Sequence, residues 1–312
     1  MNDYINVILA SDNNYSQHLC VTMVSLLQNT AAKETVKFYV LSDKISVANQ
    51  SKISETVRTL GAGIMFIDVN DTVFSNVYVS GHISRPAYFR LMIDELVPEE
   101  IDKIIYLDVD LLVFKDIKEL WSYDLQGMPV AAVDDYGIVS SLRLRKQKNK
   151  VIGLQDGKPY FNSGVLVLDL KQWREKKYGK MVVDLVQKQK FPHHDQDALN
   201  KIFMDKWFEL PLEWNVIPPV FNLFMKILLN NKLRRKAVNA RCNPAILHFA
   251  GRYKPWEFVK TVGFNDKYYE YLSLSKFANV EMPQPSNDMD GKSIFRQELR
   301  FKLASLWSRI LQ

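Results

Sequence analysis

Two cysteines in 312 residues, Cys20 and Cys242, are too few for a disulfide framework or a cysteine-bound zinc cluster. That count suits a reducing compartment. Cys20 lies in an apolar stretch with helical spacing and is expected in the core. No window approaches the roughly 18 apolar residues of a membrane-spanning helix. The opening "MNDYINVILASDNNY" has no basic stretch before its short apolar run. It reads as a first strand and not as a secretion signal, so a cytoplasmic location is expected. Neither G-x-G-x-x-G nor G-x-x-x-x-G-K-[ST] occurs, which removes support for dinucleotide-fingerprint and P-loop readings. Internal repeats and low-complexity segments are missing as well. Acid is missing locally. "RLRKQKNK" (143–150) has five basic residues and "KILLNNKLRRKAVNAR" (226–241) has six, in a chain whose net charge is only +6. Such runs are solvated basic faces, or contacts for phosphate, nucleic acid or an anionic membrane.

What is present alternates. "INVILAS", "VKFYVLSD", "IMFIDV", "KIIYLDVDLLVF" and "PVAAVDD" read as strands. "SQHLCVTMVSLLQNT", "SVANQSKISETVRTLG" and "PAYFRLMIDELVP" between them read as helices. That order implies an α/β fold with a mostly parallel sheet and helices on both faces. In such sheets ligands bind outside the carboxyl ends of the strands. Several strands end in polar residues there: Asp12 and Asn14, Asp108 and Asp110, Asp134 and Asp135. The second half is less regular. "FNSGVLVLDL" and "AILHFAG" read as strands, "KQWREKKYGKMVVDLVQKQK" and "DQDALNKIFM" as helices.

Asp108-Val109-Asp110 carries the first chemical signal. On an extended strand both carboxylates point to one face and Val109 to the other. Two adjacent carboxylates repel, and a hard divalent cation relieves that repulsion with oxygen ligands. The motif therefore reads as half of a Mg²⁺ or Mn²⁺ shell, or else as a helix cap or a salt bridge to nearby lysines. "ILHFAGRYKPW" adds His248, Gly251 and Lys254. A histidine can complete a Mn²⁺ site, a glycine admits close approach to a ligand, and a lysine neutralises phosphate. "NSGVLVLDL" places Asn162, Ser163 and Gly164 in a polar loop before a buried strand. "HHDQDALN" clusters Asp195, Gln196 and Asp197 at a helix start, where Asp195 could equally be an N-cap.

The ordered set "ILASDNNY", "RPAYFRLMIDELVP", "IIYLDVDLLVF", "FNSGVLVLDL", "HHDQDALN" and "LHFAGRYKPW" resembles glycosyltransferase family 8, most closely the bacterial lipopolysaccharide galactosyl- and glucosyltransferases. The likeness spans roughly residues 5 to 260. It implies a GT-A fold, a UDP-hexose donor, Mn²⁺ or Mg²⁺, a glycan or glycolipid acceptor, and retention of anomeric configuration. By the same resemblance, Ala10, Asp12 and Asn14 hold uridine and Tyr15 stacks on uracil. Asp108, Asp110 and His248 bind the metal, with Val109 near the ribose. Gly251 and Lys254 meet the diphosphate. Arg90, Asn162, Asp195 and Gln196 grip the donor sugar, and Gly164 leaves room beside it. Gln196 would stabilise the reacting sugar from the face opposite the leaving group. Asp197 and Asp135 are the candidate carboxylates for any covalent intermediate. Ala250, Gly251, Arg252 and Tyr253 vary among related sequences, so acceptor identity does not transfer.

Two other classes compete. A sugar-1-phosphate nucleotidyltransferase also uses carboxylates at strand ends, but usually shows a Gly-rich basic loop where this chain has "ASDNNYSQ". A nucleic-acid-binding module would interleave aromatics with the basic runs, which these runs do not do, so no nucleic-acid partner is expected. Residues 1–276 are expected to form the catalytic domain and 277–291 a Pro- and Asp-rich linker. The rest, 292–312, reads as a basic amphipathic helix. In it Phe295, Leu299, Leu303, Leu306 and Ile310 recur at three and four, and five basic residues oppose Glu298 alone. That helix suits peripheral attachment to the anionic inner face of the cytoplasmic membrane, or packing on the domain or a second copy.

Overall fold

Strands that alternate apolar residues toward two sides must be buried on both. In the strand Ile5–Asp12 (β1), Val7 and Leu9 join one core cluster while Ile8 and Ala10 join another. The strand Lys103–Leu107 (β4) repeats this, with Ile105 and Leu107 on one side and Ile104 and Tyr106 on the other. The computed structural model describes residues 4–69, 86–221, 231–251, 254–256 and 264–278, with Phe295 and Leu299 beyond them.

The first elements follow the expected alternation: β1, α1 (Ser16–Gln28), β2 (Val36–Asp43), α2 (Val47–Thr59) and β3 (Gly63–Asp68). Ser46 caps α2 by accepting from the Asn49 amide, and Gly61, at φ 94°, turns the chain out of it. Cys20 is buried in α1. The helix expected over 86–98 is not continuous. A turn of α-helix, α3 (Pro86–Phe89), passes through a 3₁₀ turn (Arg90–Met92) into α4 (Ile93–Leu96). The change falls at Arg90, whose guanidinium turns inward to donate to the Ala87 and Ser163 carbonyls.

β4 then leads to β5 (Leu111–Val113), α5 (Ile117–Trp121), β6 (Val130–Asp134), α6 (Tyr136–Val139) and α7 (Leu142–Ile152). Next come β7 (Phe161–Asp169), α8 (Leu170–Lys176), α9 (Tyr178–Lys188), α10 (His194–Ile202) and β8 (Phe208–Glu209). The helix expected after β7 is two helices, broken at Lys177, which takes a left-handed φ of 56°. Last are α11 (Asn231–Cys242), β9 (Ile246–His248) and α12 (Asn265–Ser273).

The main sheet runs β3-β2-β1-β4-β7-β6-β8. Pairing is parallel except where β7 meets β4 and β6. β1, β4 and β6 therefore end at the same edge, and β7 begins there. "KIIYLDVDLLVF" is not one strand. β4 stops at Leu107, and β5 belongs to a second sheet with β9. Asp108, Val109 and Asp110 are the crossing between the two sheets. The same-face argument for an extended pair thus does not describe them. α1 fixes the crossing instead, because the buried Thr22 hydroxyl lies 3.1 Å from the Val109 carbonyl and 2.9 Å from that of Leu111.

Of the expected linker, Phe277 and Ala278 are described, and Phe277 is buried in the core with Tyr268 and Leu272 of α12; residues 279–291, the tail other than Phe295 and Leu299, and Arg252 and Tyr253 lie outside the described residues. No helix among the described residues is long and apolar enough to cross a membrane.

Candidate active site

The sheet edge where β1, β4 and β6 end opens into a cleft of about 690 Å³. Ala10, Asp12 and Tyr15 line it from β1 and the turn after it. Asp108, Val109 and Asp110 line it from the sheet crossing, and Asp135 from the end of β6. Because β7 runs the other way, Asn162 enters from its start. Arg90, Asp195, Gln196, His248, Gly251 and Lys254 complete the expected set. Three expected residues do not line it. Asn14 is exposed beside it, Gly164 lies beneath it, and Asp197 is enclosed behind it.

Pairing of β5 with β9 sets His248 opposite Leu111, beside Asp110. One ligand atom each from Asp108, Asp110 and His248 lies within 4.8 Å of the others. The hydrogen bonds dictate which atoms these are. Backbone N–H can only donate, so the Gly164 amide, 3.0 Å from Asn162 Oδ1, fixes that oxygen as an acceptor. The Asn215 group at 2.9 Å from the same oxygen is then Nδ2. Asn215 Oδ1 therefore faces His248 Nδ1, at 2.9 Å, and Nδ1 must carry the proton. Nε2 is then the ring nitrogen left to meet a ligand. It points at Asp110 Oδ1 (3.2 Å) and Asp108 Oδ2 (3.7 Å). Ligand atoms this close together form a set that a divalent cation would relieve of its carboxylate repulsion. The donor set, two carboxylate oxygens and one imidazole, fits Mn²⁺ or Mg²⁺.

Each carboxylate has its other oxygen occupied. Asp108 Oδ1 accepts from Arg90 Nη2 (2.9 Å) and the Tyr106 hydroxyl (2.8 Å). Asp110 Oδ2 accepts from Lys254, whose ammonium also donates to the Phe249 carbonyl at 2.7 Å. Burial alone would raise the Asp110 pKa. Lys254 and His248 outweigh it and hold the carboxyl below the usual range. Arg90 is buried too, and burial opposes its charge, but Asp108 and Asp195 more than compensate. Gly164 is required here by space. A Cβ on it would lie 2.3 Å from His248 Cε1 and 2.8 Å from Asp108 Oδ2.

Lys254 is held from a second side. Trp256, two residues on, stacks on His18 of α1 with ring centres 3.7 Å apart and planes 16° from parallel. Tyr15 meets both rings edge-on. His18 Nδ1 lies 2.6 Å from the Tyr268 hydroxyl of α12, and burial lowers the His18 pKa to about 3. The imidazole is thus a neutral stacking surface.

Around Gln196 the direction of every hydrogen bond is also fixed. Its Oε1 accepts from the Ser163 amide (3.1 Å). Its Nε2 donates to Asp135 Oδ2 (3.0 Å) and the Tyr160 hydroxyl (3.3 Å). Asn162 Nδ2 donates to the same Asp135 oxygen (3.2 Å), while Asp135 Oδ1 accepts from the Ile138 amide (3.1 Å) and caps α6. Asp195 pairs with Arg90 Nε at 3.2 Å, and burial keeps its pKa raised despite that pair.

Sequence reasoning missed Asn215, Tyr106, Tyr160, Lys148, His18 and Trp256. Tyr106 and Trp256 stand inside quoted motifs but carry no charge to single them out. Asn215 lies in the turn-rich stretch before β9, with no pattern around it. Lys148 was hidden in a run read as a solvated basic face or a contact for anions.

A mostly parallel sheet with an acidic crossing at its carboxyl edge is the architecture of GT-A glycosyltransferases. The chain belongs to glycosyl transferase family 8, whose model matches residues 6–260. It is similar to general stress protein A of Bacillus subtilis (strain 168), with 33% identity over 90% of this chain and 97% of that protein. It is also similar to the lipopolysaccharide 1,2-glucosyltransferase of Escherichia coli K12, with 26% identity over 96% and 84%. Among solved structures, galactosyltransferase LgtC in complex with donor and acceptor sugar analogs superimposes with a TM-score of 0.76. That pair is 31% identical and covers 87% of this chain and 96% of the other.

Proposed function

We propose that this glycosyltransferase is a metal-dependent, retaining hexosyltransferase. It moves galactose or glucose from a UDP-sugar to a hydroxyl of a lipopolysaccharide or similar glycan. The observation that carries this reading is the convergence of one carboxylate oxygen each from Asp108 and Asp110 with His248 Nε2 at the cleft edge. These atoms would hold the divalent ion. Bound there, it would neutralise diphosphate charge that grows as the glycosidic bond breaks. Lys254 supports the same charge. Arg90 fixes Asp108 and Asp195 relative to each other. Asn162 and Asn215 orient His248 from behind, the outer-shell role that such ligands need.

Retention is expected from the family resemblance, and the carboxylates bear on how it would be reached. A retaining hydrolase uses a free carboxylate nucleophile beside its acid. Asp135 accepts three hydrogen bonds, and Asp197 is enclosed. Neither is free to attack, which favours attack from the leaving-group side, with a phosphate oxygen taking the acceptor proton. Gln196 has both amide protons engaged, so its remaining Oε1 lone pair is what it offers an oxocarbenium-like sugar. Membership of the family leaves the nucleotidyltransferase alternative without support. Incubation with a panel of UDP-hexoses, with Mn²⁺ and after chelation, tests the reading. Metal-dependent UDP release with one hexose is expected; no release with any donor would sink it.

The tail is assigned to an anionic membrane surface, which keeps the chain at the cytoplasmic membrane where a lipid-linked acceptor is reached. Phe295 and Leu299, four residues apart in helical conformation, are 63% and 43% exposed. Removing residues 292–312 should release the protein from anionic liposomes. Undiminished binding would refute that role.

A further inference from the structure

Lys148 has no exposed surface, although it stands in the basic run of α7. Its ammonium has two close partners, Asp197 Oδ1 at 2.5 Å and His193 Nδ1 at 2.6 Å. An ammonium only donates, so Nδ1 of His193 must accept. A neutral His193 then carries its proton on Nε2, at the opposite edge of the ring. His193 lines the cleft, with a side chain 38% exposed. Ile138, Leu144, Pro192 and Pro219 also line the cleft, and none of them is among the expected donor-binding residues.

We infer that Lys148 is a positioning residue. It fixes the His193 tautomer so that an Nε2–H donor faces the acceptor half of the cleft, ready for a hydroxyl or ring oxygen of the incoming sugar. The inference rests on the glycosyl-transfer reading for the identity of that ligand, but not for the tautomer. Three further observations support it. Asp197 cannot swing away, because it also accepts from the Tyr160 hydroxyl (2.7 Å) and the His193 amide (2.9 Å). The Tyr160 hydroxyl in turn accepts from Gln196, so one buried cation braces both His193 and the residue beside the reacting sugar. The next residue, His194, holds a left-handed φ of 46°, a strained conformation kept where surroundings over-determine it. Charge agrees with the geometry. Burial and then Lys148 lower the His193 pKa, while Asp197 and Asp135 oppose and His194 adds to the lowering. The ring is therefore neutral at pH 7.

The tautomer is read directly from histidine ¹⁵N–¹H correlation spectra of the full chain without ligands. The wild type should show His193 protonated on Nε2, bare on Nδ1, and taking up its second proton below its ordinary pKa of 6.5. Protonation on Nδ1, or titration in the ordinary range, would overturn the inference. In Lys148→Met the fixed tautomer should be lost and the His193 pKa should rise. Lys148→Met/Asp197→Asn, which leaves no unpaired buried charge, gives the same reading if the single variant does not fold. Persistence of the Nε2–H form in both would also overturn it. In His193→Phe the ratio of transfer to donor hydrolysis should fall about tenfold through acceptor KM, the size of one hydrogen bond. His193→Gln should recover part of that loss. An unchanged acceptor KM in His193→Phe would contradict the acceptor role. Failure of the wild type to hydrolyse any UDP-sugar would instead remove the glycosyl-transfer reading and, with it, the sugar as ligand. The spectra would still decide the tautomer.

Discussion

Two lysine–aspartate pairs stand at opposite sides of the cleft, and they differ in one respect. Lys254 takes one oxygen of Asp110 and leaves the other turned toward His248. Lys148 and the Tyr160 hydroxyl share one oxygen of Asp197, and the His193 amide takes the other. Both carboxylates sit in strongly acidic motifs, and sequence alone gave both a chemical role. The difference teaches that residue type does not make a carboxylate available for chemistry. An oxygen turned toward other ligand atoms at the cleft edge does.

Removing the charges should therefore have opposite signatures. Asp110→Asn should lower turnover on the order of a thousandfold, the scale of losing an organising electrostatic group, in a domain that still folds. Near-normal turnover would break the comparison on the catalytic side. Lys148→Met leaves Asp197 buried without its cation and should destabilise the fold by about 3–5 kcal/mol in denaturant titrations. Lys148→Met/Asp197→Asn should recover most of that loss. Asn215→Ala removes the group that fixes the His248 tautomer and should weaken Mn²⁺ binding about 10- to 100-fold, read by calorimetry.

The smallest effect falls on Asp134, beside Asp135. Burial first, and then Glu209, raise its pKa to about 7, above the usual carboxylate value of 3.8. A raised carboxyl contributes stability that is whole below the unfolded value and is lost as pH rises through about 7. The wild type should thus lose stability between about pH 4 and pH 7 relative to Asp134→Asn, by about 1 kcal/mol after allowance for partial exposure. Equal slopes in the two proteins would show that Asp134 is not perturbed.

The alternation of strands and helices, and the polar ends of β1, β4 and β6, were legible because period and breaker residues are local signals. The converging Asp108, Asp110 and His248 were legible because their types are unusual beside apolar runs. What escaped was set by tertiary contact. Nothing local in "KIIYLDVDLLVF" shows that the chain changes sheets at Asp108, since Leu111–Val113 is as apolar as the strand before it. Lys148 looks like its neighbours in "RLRKQKNK" until α7 is packed on α10, when Leu144 and Lys148, four apart, turn inward together. Asn215 bears on His248 only through the pairing of Val216 with Leu247.

The central claim is that Asp108, Asp110 and His248 form one divalent-cation site at the diphosphate end of a donor cleft. Titration of Mn²⁺ into wild type and Asp110→Asn, each with and without UDP, tests it most directly. The account expects one ion per wild-type chain, bound more tightly with UDP present, and no such binding in Asp110→Asn. Equal Mn²⁺ affinity in the two proteins, unaffected by UDP, would contradict it.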